Sequence, residues 1–85
     1  MHKFRVVIKN IDGIIYDDLA DIVIMKTVDG EIGIMANHIP MMAELKKNSS
    51  VKIKNDGQEF DFEINDAVAK ICSNKLDILD FSEEK

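Results

Sequence analysis

The feature that most limits what this chain can fold into is an apolar–polar alternation of period two that recurs along its length. Phe4, Val6 and Ile8 alternate with Lys3, Arg5 and Lys9. Val51 and Ile53 alternate with Lys52 and Lys54, and Phe60, Phe62 and Ile64 with Glu59, Asp61, Glu63 and Asn65. Successive side chains of a strand point to opposite faces, so each set places apolar groups on one side and charges on the other. The pattern predicts sheets with one buried and one solvated face.

Turn chemistry divides the pattern into short segments. Asp12-Gly13, Asp29-Gly30 and Asp56-Gly57 each lie between apolar stretches, and Ser73-Asn74 separates two more. Glycine accepts positive φ at little cost, so these dipeptides favour tight hairpins. Strands are predicted near 3–10, 14–18, 21–27, 31–35, 41–46, 51–55, 58–65, 67–72 and 75–81, and such spacing points to an all-β sandwich or barrel. The best competing helix runs from Pro40 to Lys47, where Met41, Met42 and Leu45 fall at helical spacing. It is too short to outweigh the strands around it and is read as a strand.

The 85 residues suffice for one domain and not for two. A domain of this size buries roughly 60% of the surface its unfolded chain exposes, so its core is thin. With 46% hydrophobic and 32% charged residues the composition is globular. The formal charge of −5 comes without an isolated Lys/Arg cluster, which argues against nucleic-acid binding and against direct association with anionic lipid. A single cysteine, Cys72, excludes an internal disulfide and a thiolate zinc site, and fits a reducing compartment. No apolar run reaches signal-peptide or bilayer-spanning length, so a soluble chain is expected.

Few residues invite chemistry. His38 has no neighbouring Cys or His, so metal-ligand spacing is absent and no metal or catalytic residue is expected. Cys72 lies where a strand meets a turn and is read as a half-buried packing thiol. The carboxylates Glu59, Asp61 and Glu63 share a face opposite Phe60, Phe62 and Ile64, which is how a solvated sheet surface looks. Asp17-Asp18 and Glu83-Glu84 form no calcium-loop spacing, and no glycine loop could cradle a phosphate. Ile24-Met25-Lys26-Thr27 resembles the modified-lysine motif of biotin and lipoyl carrier domains, although the expected hairpin tip, Asp29-Gly30, lies beyond Lys26 and Thr27 replaces the second methionine. No cofactor is expected.

The segment Asp29-Gly30-Glu31-Ile32-Gly33-Ile34-Met35-Ala36-Asn37-His38-Ile39-Pro40 resembles the signature of epsilon subunits of rotary F-type ATP synthases, approximately D/E-G-E-x-G-V/I-x-P-G-H-A-P. Gly30, Glu31, Gly33, His38 and Pro40 match in register. Phe4 to Tyr16, the Leu45-Lys46-Lys47 and Val51–Ile53 stretches, and the closing Asn74-Lys75-Leu76-Asp77-Ile78-Leu79-Asp80 fall where the family has its corresponding features. Ala36-Asn37 replaces the usual Pro-Gly, and Asn37 can keep the left-handed turn that Gly would make. Asp66-Ala67-Val68 also departs from the family pattern.

The resemblance implies a flattened two-sheet β-sandwich of about nine or ten short strands over residues 1–82, followed by a polar tail at 83–85. Family members continue into a helical hairpin that clamps the motor and in some bacteria binds ATP; that arm lies outside this sequence. The implied role is that of a non-catalytic rotor subunit of the central stalk, peripheral at the cytoplasmic face of the cell membrane within the F1 complex. It would join the gamma subunit to the c-ring and couple hydrogen-ion or other ion transport to ATP synthesis. Asp29, Gly30, Glu31, Ile32 and Gly33 are the implied contacts with the polar loops of the c-ring. His38, Ile39, Met41, Met42 and Ala43 are those with gamma. A free-standing interaction sandwich or a biotin/lipoyl-type carrier domain is the alternative.

Overall fold

A computed structural model describes residues 2–81, so the expected polar tail at 83–85 lies outside the described residues. The alternating segments form nine strands. They are β1 (Phe4–Asn10), β2 (Gly13–Ala20), β3 (Ile22–Thr27), β4 (Gly30–Ile34), β5 (Met41–Glu44), β6 (Ser49–Asn55), β7 (Gln58–Ile64), β8 (Ala67–Cys72) and β9 (Lys75–Asp80). One sheet has the order β2-β1-β9-β8-β5 and the other β4-β3-β6-β7. Neighbours are antiparallel except β1 and β9, which run parallel and hold the two ends of the domain together. The two sheets make a sandwich with principal extents of 40 × 24 × 19 Å.

Alternation decides which side chains meet between the sheets. Phe4, Val6 and Ile8 of β1, Val51 and Ile53 of β6, and Leu76 and Ile78 of β9 are buried in one cluster with Val23, Met25, Ile34 and Leu45. At roughly 1.5–3 kcal/mol for each fully buried large aliphatic side chain, these few residues supply most of the drive to fold.

Two turns sit one residue earlier than the glycine positions suggest. The tips are Ile11–Asp12 and Val28–Asp29, with Gly13 and Gly30 opening the next strand at φ of 132° and 130°. The β-branched Ile11 and Val28 keep negative φ, and the glycine after them takes the strained conformation. The Asp56-Gly57 and Ser73-Asn74 turns stand as expected, with positive φ at both residues of each.

The Pro40–Lys47 segment is a strand over Met41–Glu44, after which Leu45 forms an isolated bridge to Thr27 and donates its N–H to the Ala67 carbonyl at 3.0 Å. The expected half-burial of Cys72 does not hold: its side chain is exposed. Ala67, Ala69 and Ile71 of the same strand point into the core, so parity sends residue 72 outward.

Candidate functional site

The two long sides of the sandwich are finished differently. On the β2/β7 side, Tyr16 packs against Phe62 and Phe60, with ring centroids 5.3 and 6.0 Å apart, and closes the gap between the sheets. On the other side β4 and β5 are the edge strands, and between them lies an open groove of about 490 Å³. Its lining runs from Thr27 to Ile32 along one wall and from Met41 to Glu44 along the other.

Alternation orders this groove too. Ile32 and Met41 are half-buried and pack against the core, so they form the floor with Ala43. Asp29, Glu31 and Glu44 are exposed at the rim, with Val28 and Met42 beside them. At the turn end the walls are joined: the Val28 N–H donates to the Glu44 carbonyl at 3.1 Å, and the Lys46 N–H donates to the Lys26 carbonyl at 2.8 Å. Thr27 steadies the hairpin, its hydroxyl donating to the Gly30 carbonyl at 2.8 Å and accepting from the Asp29 N–H at 3.1 Å.

The structure therefore brings together residues that the sequence had divided between two contact sets. Asp29 to Ile32 and Met41 to Ala43 face one groove, and Gly33 continues β4 just beyond it. Glu31 is not at the hairpin tip. It follows Gly30 on β4 and lies opposite Lys26 on the outer face of the sheet. Met41 belongs to the packed floor, whereas Met42 is 70% and Ile39 73% exposed. Sequence reasoning missed Val28 and Glu44; the signal available was an exposed apolar residue, Val28, in an otherwise polar turn.

His38 lies in the loop that carries the chain from β4 in one sheet to β5 in the other, and is partly exposed. Its Nδ1 is 2.8 Å from the Ile39 carbonyl, which can only accept, so Nδ1 carries the proton. The loop is held by Asn37, whose φ of 67° is the left-handed turn expected of it.

The carrier motif does not have carrier geometry. Lys26 lies within β3 rather than at the tip, and Met25 beside it is buried in the core. Among the described residues no group of three or more His, Cys, Asp or Glu side chains could hold a metal ion. No described helix is long and apolar enough to cross a membrane.

Residues 3–82 match the model of the ATP synthase, Delta/Epsilon chain, beta-sandwich domain. The chain is 36% identical over 75 residues to the ATP synthase epsilon chain of Ligilactobacillus salivarius, covering 87% of this chain and 53% of that one. It is 33% identical over 85 residues to the epsilon chain of Bacillus thuringiensis, covering 100% of this chain and 63% of that one. The chain thus spans between about half and two thirds of these relatives' length. Its fold resembles a chain in the Euglena gracilis mitochondrial ATP synthase, with a TM-score of 0.85 at 17% identity, covering 92% of this chain and 50% of that one. A chain of the Tetrahymena thermophila mitochondrial ATP synthase central stalk and c-ring gives a TM-score of 0.77 at 15% identity, covering 95% and 65%. Motif, nine-stranded sandwich and family match agree, and the chain belongs to the beta-sandwich domain family of ATP synthase delta/epsilon chains.

Proposed function

We propose that this sandwich serves as the non-catalytic foot of the central stalk in an F-type ATP synthase, joining the gamma subunit to the c-ring so that ion translocation is coupled to ATP synthesis. The observation that carries the reading is the family match over residues 3–82, nearly the whole chain. The domain acts by remaining attached. It forms and breaks no covalent bonds, and it sits peripherally at the cytoplasmic face of the cell membrane as part of the F1 complex.

The attachment divides along the groove. Asp29, Gly30, Glu31, Ile32 and Gly33 meet the polar loops of the c-ring, with Glu31 pairing to an arginine there. His38, Ile39, Met41, Met42 and Ala43 meet gamma. A charge-assisted bond to arginine fixes orientation, yet one rim pair is worth only about 0–1 kcal/mol. Several c-subunits and gamma must therefore share the load. The exposed Ile39 and Met42 suit this role, since unbranched methionine adapts to irregular apolar partners.

The test is reconstitution. The chain is added to rotor assemblies of gamma and c-ring stripped of their own epsilon subunit, and its retention is measured by co-sedimentation. Stoichiometric, saturable retention on gamma–c-ring is expected. Retention no better than that of an unrelated acidic sandwich of similar size would overturn the reading.

A further inference from the structure

We propose that the open edge of β4 is a strand-addition site that takes an extended partner segment whose apolar and basic residues alternate. Backbone direction gives the first argument. The Lys26 carbonyl points away from β4, toward Lys46, so Met25–Ile32 and Val23–Ile34 are the pairs bonded between β3 and β4. The N–H and C=O groups of Glu31 and Gly33 then point outward, beyond the last strand of their sheet.

The second argument comes from comparing the edges. An unpaired strand edge templates another strand unless it is shortened, bulged, charged or covered. Edge β2 has a register shift opposite Ile8 and Lys9 and carries Asp17 and Asp18. Edge β7 carries Glu59, Asp61 and Glu63 and is joined to β2 by the aromatic contacts of Tyr16. Edge β5 is four residues long and is bonded at Glu44 to the turn of the facing hairpin. Edge β4, Gly-Glu-Ile-Gly-Ile, has no bulge in its pairing, no proline and one charge. On the outer face Gly33 carries no side chain, and a Cβ there would meet nothing nearer than Ile22 Cδ1 at 3.8 Å, so a large side chain of an added strand would find room beside it.

The groove beside that edge states the chemistry of the occupant. Its floor of Ile32, Met41 and Ala43 would accept every second side chain as an apolar one. The intervening side chains would lie on β4's outer face beside Glu31, with Asp29 at the adjoining turn, and these two carboxylates favour Lys or Arg there; Lys26, opposite Glu31, offsets one of the two charges. Main-chain bonds then give affinity and the alternate side chains give specificity. The proposal rests on the reading that this side of the sandwich is the attachment surface, and it names the manner of attachment.

The experiment uses the full chain and an acetylated, amidated peptide of four Val-Lys repeats. Three comparison peptides are used: one of the same composition in Val and Lys blocks, and two of the alternating sequence, N-methylated at every valine or at every lysine. The alternating peptide should slow amide exchange at Glu31 and Gly33 at least tenfold when bound. N-methylation of one residue set should weaken binding tenfold or more, and of the other set little, because a strand presents its two edges by parity. Glu31→Lys should weaken binding about tenfold at low salt, and Gly33→Pro, which removes an outward N–H, should abolish slowed exchange at Glu31. Equal binding of all four peptides, or no protection at Glu31 and Gly33, overturns the proposal. So does sedimentation showing the chain alone to be a dimer with those amides already protected, since a second copy would then be the occupant. Rotor retention is measured separately: loss of retention in Glu31→Lys without peptide binding overturns strand addition and leaves the attachment reading standing, while peptide binding with unchanged retention supports the edge site and counts against that reading.

Discussion

Asn37 and Asn74 clasp one another across two turns. The Asn37 N–H donates to Asn74 Oδ1 at 2.6 Å, and Asn74 Nδ2 donates to Asn37 Oδ1 at 3.2 Å. Both residues are left-handed, with φ of 67° and 60°. The Asn74 carbonyl also accepts from the Arg5 N–H at 3.0 Å, so the loop bearing His38 is tied through Asn74 to β1. Asparagine suits both demands, since it tolerates left-handed backbone and has an amide to share.

The first prediction separates those demands. Asn37→Gly keeps the left-handed turn and loses one side-chain bond, which should cost about 1 kcal/mol or less. Asn37→Ala loses the same bond and adds left-handed strain of roughly 1–2 kcal/mol. Urea unfolding of both variants should rank them wild type, Gly, Ala; equal Gly and Ala midpoints would show that the turn is not strained.

Asp80 supports the second prediction. It is buried, and its carboxylate accepts the N–H of Asn65 at 3.1 Å and of Asp66 at 3.3 Å, shaping the β7–β8 connection. Hydrogen bonds to charged groups contribute about 1.5–3 kcal/mol and are not strictly additive, so Asp80→Ala should destabilise by about 2–4 kcal/mol. Asp80→Asn keeps one acceptor oxygen and should fall between. Chemical denaturation measures both, and an Asp80→Ala variant as stable as wild type would refute the account.

Period-two alternation located the strands, because burial on one face is a local property of a strand. Local pattern does not say which strands become neighbours, so the parallel β1–β9 pair and the move of the chain between sheets after Ile34 could not be read from it. The groove was hidden for the same reason: Val28 and Glu44 lie sixteen positions apart and meet only because β4 and β5 are edges of different sheets. Asn37 was legible because a left-handed turn is a demand on a single residue. Cys72 was misjudged because its burial depended on the parity of β8, which Ala67, Ala69 and Ile71 set.

The third prediction concerns pH. Lys3 Nζ lies 2.8 Å from Asp21, 2.9 Å from Asp56 and 2.6 Å from Asn55 Oδ1, joining the first residues to the β6–β7 turn. The hydrogen bond from Lys3, then one from the Asp56 N–H, holds the Asp21 carboxyl below the ordinary aspartate range. Arg5, bonded to Asp17 at 3.0 Å, lowers Asp17 in the same way. A carboxylate depressed on folding stabilises above its unfolded pKa and loses that contribution as pH falls through its folded pKa. Melting temperature should therefore drop as pH falls below about 4, in the window set by these groups. Asp21→Asn should flatten part of that drop. Lys3 is raised above 10.5, mainly by its bond to Asp21, so its contribution is full below 10.5 and lost as pH rises through the higher folded value. Lys3→Met should flatten the alkaline limb, and limbs unchanged by both substitutions would refute the assignment.

The last prediction returns to the rim of the groove. Glu31 is exposed, so Glu31→Ala should change folding stability by no more than about 0.5 kcal/mol. Glu31→Lys places a lysine opposite Lys26, and like charges directly across a pair of strands add a further penalty of roughly 0.2–1 kcal/mol. Neither change should unfold the sandwich, so defects in attachment can be read apart from folding. If Glu31 meets a basic c-ring loop, Lys turns attraction into repulsion and should weaken rotor retention and ion-coupled ATP synthesis more than Ala does. The difference should widen at low salt, where screening is weak. His38→Ala should instead weaken binding to isolated gamma, because its loop stands on the β5 side of the groove, beside Ile39. The measurement is retention of each variant on gamma alone and on gamma–c-ring, over a range of salt. Should Glu31→Lys leave ring attachment and coupling intact at low salt, this wall of the groove does not meet the ring, and the contact lies on another face of the same fold.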